Sequence, residues 1–281
     1  MIPGQLLSLK IYRKAGFPML LFPVIKAELY KNICRKSTWI LVIPVLLSLL
    51  ITLGFRTDAV TLTITGNSGS LSCMDYLFMN WTVLSSLGLI GLLILLFSSI
   101  QFSGEIERGQ IKFFLLRSSS RSGVLFGKYL SAVIVSALST AAVLIFTVLF
   151  YYLMIAGTSH GNGEFHAAIS GLTTGHILAY IGLSLISFLL WIAVSFLFGL
   201  YFGPFVDFVL TAVFLYGGNY IASQDMAVSR LFPSYWGNQM LLGSEQPDIL
   251  LPALGSVILT LVLTAAVLLF AAWRFSNTDI K

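Results

Sequence analysis

The sequence predicts an all-α integral membrane protein with six transmembrane helices, an N-terminal amphipathic interface helix and both termini in the cytoplasm. Three observations predict it. Of 281 residues, 57% are hydrophobic and only 10% charged, where a soluble chain carries about 25% charged residues. The apolar residues form runs long enough to cross a bilayer, which takes ~20 residues in a helix. The cations gather in a few segments between alternate runs. No room is left for a separate soluble domain, so the reading is one transmembrane domain.

The six spans are expected at 38–55, 77–102, 129–156, 177–200, 204–222 and 249–273. Backbone amides in hydrocarbon must be satisfied within the segment, which makes these runs helices. Around them lie a cytoplasmic or interface segment at 1–37, a cytoplasmic loop at 103–128, an outer loop at 223–248 and a cytoplasmic tail at 274–281. The weakest boundary is the fourth to the fifth span, where only Tyr201-Phe202-Gly203-Pro204 interrupts the apolar run. Fusing the two would give five spans. The cation count decides for six: 14 of the 16 Lys and Arg then fall inside, and only Arg56 and Arg230 outside, as the positive-inside rule requires.

The same placement accounts for the net charge of +5. The cations flank spans and meet anionic headgroups, so nucleic acid is not an expected partner and membrane lipids are. Cys34 and Cys73 fall on opposite sides and cannot pair within one chain. Lys10, Arg13 and Lys14 precede only a short run broken by Pro18 and Pro23, which does not read as a cleavable signal. In the stretch 22–36, Ile25, Leu29 and Ile33 recur at helical spacing, with Lys26, Lys31, Arg35 and Lys36 elsewhere on the wheel. This reads as a helix lying in the inner interface; an ordinary basic flank of the first span is the alternative. The outer loop 223–248 carries Met226, Phe232, Tyr235 and Trp236 and belongs at an interface or folded back into the membrane.

The segment 103–128 is the dense cluster of charge. Glu105 and Glu107 lead a ladder of Arg108, Lys112, Arg117, Arg121 and Lys128, with Ile111, Phe113, Phe114 and Leu115 as an apolar side. Residues of this kind suit a docking surface for a cytoplasmic protein, the apolar ones anchoring and the charges setting register. The alternative is a solvated loop that only obeys the positive-inside rule.

Chemistry of other kinds is missing from the sequence. The central portions of the spans hold no ionisable residue, where carriers driven by an ion gradient keep one. Asp207 is nearest, close to the inner end of the fifth span, and reads as an interfacial acid paired with a cation or a headgroup. No HExxH, GxSxG or metal-spaced His/Cys cluster appears. His160, Glu164 and His166 share one outer loop, read as polar rather than metal-binding. The run from Gly123 to Lys128 has three residues between its glycines, and Tyr129 follows the lysine. A phosphate loop needs four and then Ser or Thr. Gly123 and Gly127 are instead expected to permit close helix packing, as are Gly199 and Gly203.

The charged segment also resembles a known family, the membrane subunits of ATP-binding-cassette exporters of the type-2 permease class. After their second span these carry E-[I/V/L]-E-x-G-T, an apolar pair, a Pro-x-Ser-Arg stretch and Gly-Lys. Here stand Glu105-Ile106-Glu107-Arg108-Gly109, Leu115-Leu116, Ser120-Arg121 and Gly127-Lys128, in that order. Gln110 replaces the usual Thr, and the serines Ser118 to Ser120 replace the usual Pro. Leu231-Phe232-Pro233 is similar to a motif of the last outer loop, and Arg274-Phe275 with Asp279-Ile280 to the closing pattern. The resemblance implies a permease that binds no cofactor itself, with ATP and Mg held by two copies of a separate ATPase subunit and a second copy of the chain completing the exporter. It assigns coupling to Glu105, Glu107, Arg108, Gly109, Phe113, Phe114, Arg117, Arg121 and Lys128. The interface helix, with Lys26, Glu28, Lys31 and Arg35, would face the ATPases too. The expected cargo is amphipathic, lipid-like, peptide or drug-like, crossing the cell membrane. The rival readings are a gradient-driven secondary transporter and a membrane anchor or sensor that recruits a cytoplasmic protein.

Overall fold

The computed structural model describes residues 17–59, 70–86, 88–117, 120–167, 172–224, 226–242 and 250–277, with the side chains of 17–21, 114, 116–117 and 240–242 outside the description. Six helices among them are long and apolar enough to cross a membrane. The chain opens with α1 (Phe17–Cys34) and a 3₁₀ turn (Lys36–Val42) that leads into α2 (Ile43–Arg56). The second span is two helices, α3 (Cys73–Ser86) and α4 (Leu89–Gln101), followed by the short α5 (Ser103–Glu107) and α6 (Gln110–Arg117). Then come α7 (Arg121–Phe150, closed by a π turn at Tyr151–Ile155), α8 (Thr174–Phe198) and α9 (Pro204–Ser223). A 3₁₀ turn (Ala227–Leu231), α10 (Pro233–Leu242) and α11 (Leu250–Asn277) complete it.

Four features differ from the expectation or sharpen it. The fourth and fifth spans are separate helices. Pro204 sits at the first turn of α9, where its missing N–H costs nothing, and Gly203 before it is extended. The second span, expected unbroken, is interrupted at Gly88, which has φ of +64°. The third span begins at Arg121 rather than near residue 129, so the expected loop 103–128 is largely helix. Ser120 caps α7 by accepting from the Gly123 amide at 3.2 Å. Finally, the described part of the segment expected as an outer loop folds back on the bundle. α10 packs against α8, α9 and α11, with the Ser256 hydroxyl donating to the Pro233 carbonyl at 3.1 Å and the Ser234 hydroxyl to Asn219 at 2.7 Å.

The core is mixed apolar and hydroxyl. Trp81, Leu84, Ile90, Ile94, Phe97 and Phe102 are buried along the second span, and Phe102 stacks on Phe196 of α8 with centroids 4.3 Å apart. Where α2, α3 and α7 meet, the Asn80 amide donates to Ser48 at 2.6 Å and to Thr147 at 2.9 Å. The Thr52 and Tyr76 hydroxyls lie 2.7 Å apart beside them. Small hydroxyl residues let the helices approach, and in hydrocarbon their hydrogen bonds bind neighbours.

The two ends of the bundle differ. One gathers α1, the end of α4, α5, α6 and the termini of α7, α8, α9 and α11; there Ser103 donates to the Phe202 carbonyl at 2.6 Å, and Arg274 lies over the Tyr201 ring. The other end joins Leu71 to the 156–167 loop, where His160 pairs with Asp58 at 3.1 Å and packs on Phe55. Among the described residues no three His, Cys, Asp or Glu side chains form a metal-sized group. Cys34 lies exposed at the first end and Cys73 buried at the second.

Gly88 gives a direct test of the break. A Cβ there would fall on the Tyr216 hydroxyl, and a left-handed backbone costs an L-residue about 1–2 kcal/mol. Gly88→Ala is expected to lower stability by about that amount in a denaturant titration in detergent micelles. Gly182→Ala, inside α8 with open space around it, is expected to leave stability unchanged or raise it slightly.

Candidate functional site

The strongest electrostatic feature sits where α1, α5 and α7 converge. Lys128, in the second turn of α7, is fully buried between two carboxylates. Its Nζ lies 2.7 Å from Glu28 Oε1 of α1 and pairs with Glu105 Oε2 of α5. Lys31 bridges the same two acids, 2.5 Å from Glu28 Oε2 and 2.7 Å from Glu105 Oε1. Arg35 completes the group, with Nη1 2.7 Å from Glu105 Oε1 and Nη2 donating to Gln110 of α6 at 3.3 Å. Two carboxylates thus hold three cations. Burial, then the neighbouring Lys128 charge, push the Lys31 ammonium below the usual lysine range.

Local sequence explains why these groups meet. Gly127 brings α1 close, since a Cβ at that position would lie 2.6 Å from Val24 Cγ1. Glu28 is one turn beyond Val24, and Lys128 follows Gly127, so the contact at the glycine aligns acid with base. On the other side Gly109 has φ of +68° with open space around it. Backbone geometry alone demands the glycine there. The turn it makes lets α6 run back along the bundle with Ile111 buried and Leu115 packed on the core.

The structure divides the expected site residues into two groups. Glu28, Lys31, Arg35, Glu105 and Lys128 turn inward and hold one another. Lys26, Glu107, Arg108 and Arg121 are exposed at the same end. Phe113 was expected on the apolar side of its helix with Ile111; it is 70% exposed, because Ile111 and Leu115 supply the packing face. The side chains of Phe114 and Arg117 lie outside the described residues, as do Ser118 and Ser119 and the closing Asp279-Ile280. The expected stripe on α1 is corrected as well. Leu29 packs on the core while Ile33 is exposed, and the fully buried side is polar, with Glu28 and Asn32. The pull of Lys128 on Glu28 sets the rotation of α1.

Of the proposed packing glycines, Gly127 and Gly199 stand at close approaches, with a Cβ at Gly199 meeting Phe102 at 3.1 Å. Gly123 and Gly203 have ordinary room. Asp207, expected as an interfacial acid paired with a cation or a headgroup, is turned into the protein. It is fully buried in the first turn of α9, accepting from Thr211 at 3.2 Å and Ser195 at 3.4 Å, with Ser99 also bonded to it. No described cation pairs with it. A serine or threonine on each neighbouring helix was the signal that could have placed it inside.

The chain matches, over residues 40–281, a family described as a protein of unknown function, DUF2705. It belongs to that family. No curated protein and no solved structure matches the chain. The matched region holds Glu105, Gly109, Gly127 and Lys128, while Glu28, Lys31 and Arg35 precede it.

Removing one partner of a buried ion pair leaves a charge uncompensated, which costs about 3–5 kcal/mol. Glu28→Gln, which leaves three cations facing one carboxylate, is expected to destabilise the protein on that scale in a denaturant titration. Arg108→Gln and Lys112→Gln, both exposed, are expected to leave the midpoint unchanged. Equal midpoints in all three variants would refute the structural weight given to the cluster.

Proposed function

We propose that the chain is the membrane subunit of an ATP-driven exporter of the ATP-binding-cassette, type-2 permease class, working with a separate cytoplasmic ATPase. What carries the reading is the continuity between exposed and buried charge at one end of the bundle. α6 offers Lys112 and Phe113 outward, and α1 offers Phe22, Lys26, Tyr30 and Ile33. Directly behind them the ion cluster ties α1 and α5 to α7. A protein docking on the outer surfaces would pull on the second and third spans through that cluster. Under the positive-inside rule this end is cytoplasmic. Mixed apolar and cationic surface of this kind suits a protein partner, with Phe113 and Tyr30 as anchors and Arg108 and Lys112 setting register.

The assembly in this reading has two copies of the chain and two ATPases, with ATP and Mg bound only by the ATPases. The cargo is amphipathic or lipid-like. One observation favours a gradient-driven carrier instead: Asp207 is a carboxylate buried in a span, where ionisable residues commonly serve ion pathways. Transport that stops with an uncoupler but survives ATP depletion would select that second reading.

The test is a gentle-detergent pull-down of the tagged chain. A near-stoichiometric companion that hydrolyses ATP in the complex is the expected result; a chain that purifies alone with no nucleotide turnover would overturn the proposal. Arg108→Glu combined with Phe113→Ala is expected to abolish the companion, with insertion intact. Glu105→Ala and Arg121→Ala are expected to retain it and to separate ATP hydrolysis from transport; full transport in both would remove coupling from this segment.

A further inference from the structure

A half-open cleft of about 250 Å³ lies between helices of the bundle, away from the ion cluster. Its walls come from the α3/α4 break and from α8, α9, α10 and α11. Three aromatic side chains, Tyr180, Phe188 and Trp191, supply flat apolar surface on α8. Asn219 of α9 and Asn238 of α10 supply amides. No charged side chain lines it among the described residues.

Six of the hydroxyls lining the cleft donate within the protein. Thr82 donates to the Phe78 carbonyl at 2.8 Å, and Ser86 to Val83 at 3.1 Å. Ser184 donates to Tyr180 at 3.0 Å, and Ser187 to Ser184 at 2.7 Å. Ser256 donates to Pro233 and Ser234 to Asn219. With their protons spent, these oxygens offer lone pairs to the cavity. The Asn219 oxygen accepts from Ser234, so its amide N–H groups, with Asn238 and the hydroxyls of Ser85 and Tyr180, add donors, and an occupant must both donate and accept hydrogen bonds. An anion brings acceptors and meets no cation. A cation brings donors but would be buried without a counter-charge, which is costly. What fits is a neutral group with several hydroxyls and an apolar face to lie on the aromatics. The volume falls just under the roughly 300 Å³ at which drug-sized pockets begin, which suits one ring.

We infer that this cavity is a binding site for a neutral polyhydroxylated ring, as in a free sugar or an uncharged glycolipid headgroup. Every wall belongs to one copy of the chain, so the inference does not rest on the exporter reading. The break at Gly88 is consistent with it, since irregular backbone at membrane depth is tolerated where it lines a cavity.

The experiment reads Trp191 fluorescence in phosphatidylcholine nanodiscs, as the difference between the full chain and Trp191→Phe. One arm titrates methyl β-glucoside; the other uses discs containing a monoglucosyl diacylglycerol. A saturable change in either arm, weakened about tenfold or more by Ser187→Leu, is expected. The arm that responds separates free sugar from headgroup. Asn219→Leu, at an exposed position of α9, is expected to give the same loss and keeps the test decisive where Ser187→Leu fails to fold. Silence in both arms, an equal response to glucosamine or glucuronate, or full binding in the folded variants would overturn the site.

Discussion

Lys128 is buried in the membrane domain and stays there because two carboxylates hold it. A lone ammonium in that place would be untenable, so its position constrains everything around it. Glu28 must face inward, which fixes the rotation of α1. Glu105 must reach the same point, which fixes where the second span ends and how α5 turns. Gly127 must stay small so that α1 can come near. Lys31 and Arg35 then occupy the outer side of the same acids and extend the network to Gln110 of α6. Buried ion pairs are poor sources of net stability compared with apolar packing. They are good at forbidding alternatives, since any register that separates the partners strands a charge. The cluster reads as a device of that kind: it makes three segments far apart in sequence behave as one joint.

Much of the fold was legible because the membrane simplifies the physics. Hydrocarbon demands satisfied backbone and apolar surface, so long apolar runs give helices with little ambiguity. Pro204 marks a helix start on local grounds, and Gly109 and Gly127 could be singled out as special. The break at Gly88 was not legible, because Ser85 to Gly88 lies in an otherwise apolar stretch and a lone glycine is common within membrane helices. The long start of α7 was missed because charges at 121 and 128 read as loop, although Ser120 is a good cap and Lys128 has acids to meet.

The site was half legible. The sequence names the right residues in and near Glu105 to Lys128 but not their direction. A charge beside a span can point to water, to headgroups or to another charge, and spacing within one segment does not choose among these. The choice came from Glu28, about a hundred positions from Lys128 along the chain, and from the glycine that lets the two meet. Asp207 shows the same limit. Its position at a helix start favours an anion electrostatically, and this is equally true of an exposed acid and a buried one. Hydroxyls on two neighbouring helices, Ser99 and Ser195, and on its own, Thr211, hold it, and the first two meet it only in space.

The ion cluster and the cavity share one element. α4 runs from Leu89, beside the Gly88 break, to Gln101, and Glu105 follows in α5. Thirteen residues of helix span about 20 Å, and a hydrogen-bonded helix of that length behaves as a rod. Its far end carries Ile90 and Gly91 in the cavity wall; α5, directly after its near end, carries the acid that binds Lys31, Arg35 and Lys128. A displacement imposed on α1 or α6 therefore reaches the cavity wall along a rigid path, and Gly88 is the point where the span has backbone freedom to absorb it. An unbroken second span would carry Thr82 and Ser85 along with Ile90 and Gly91, moving its whole share of the wall as one body. In the proposed exporter, the acid at one end would be where a pull is applied and the glycine at the break where it is taken up.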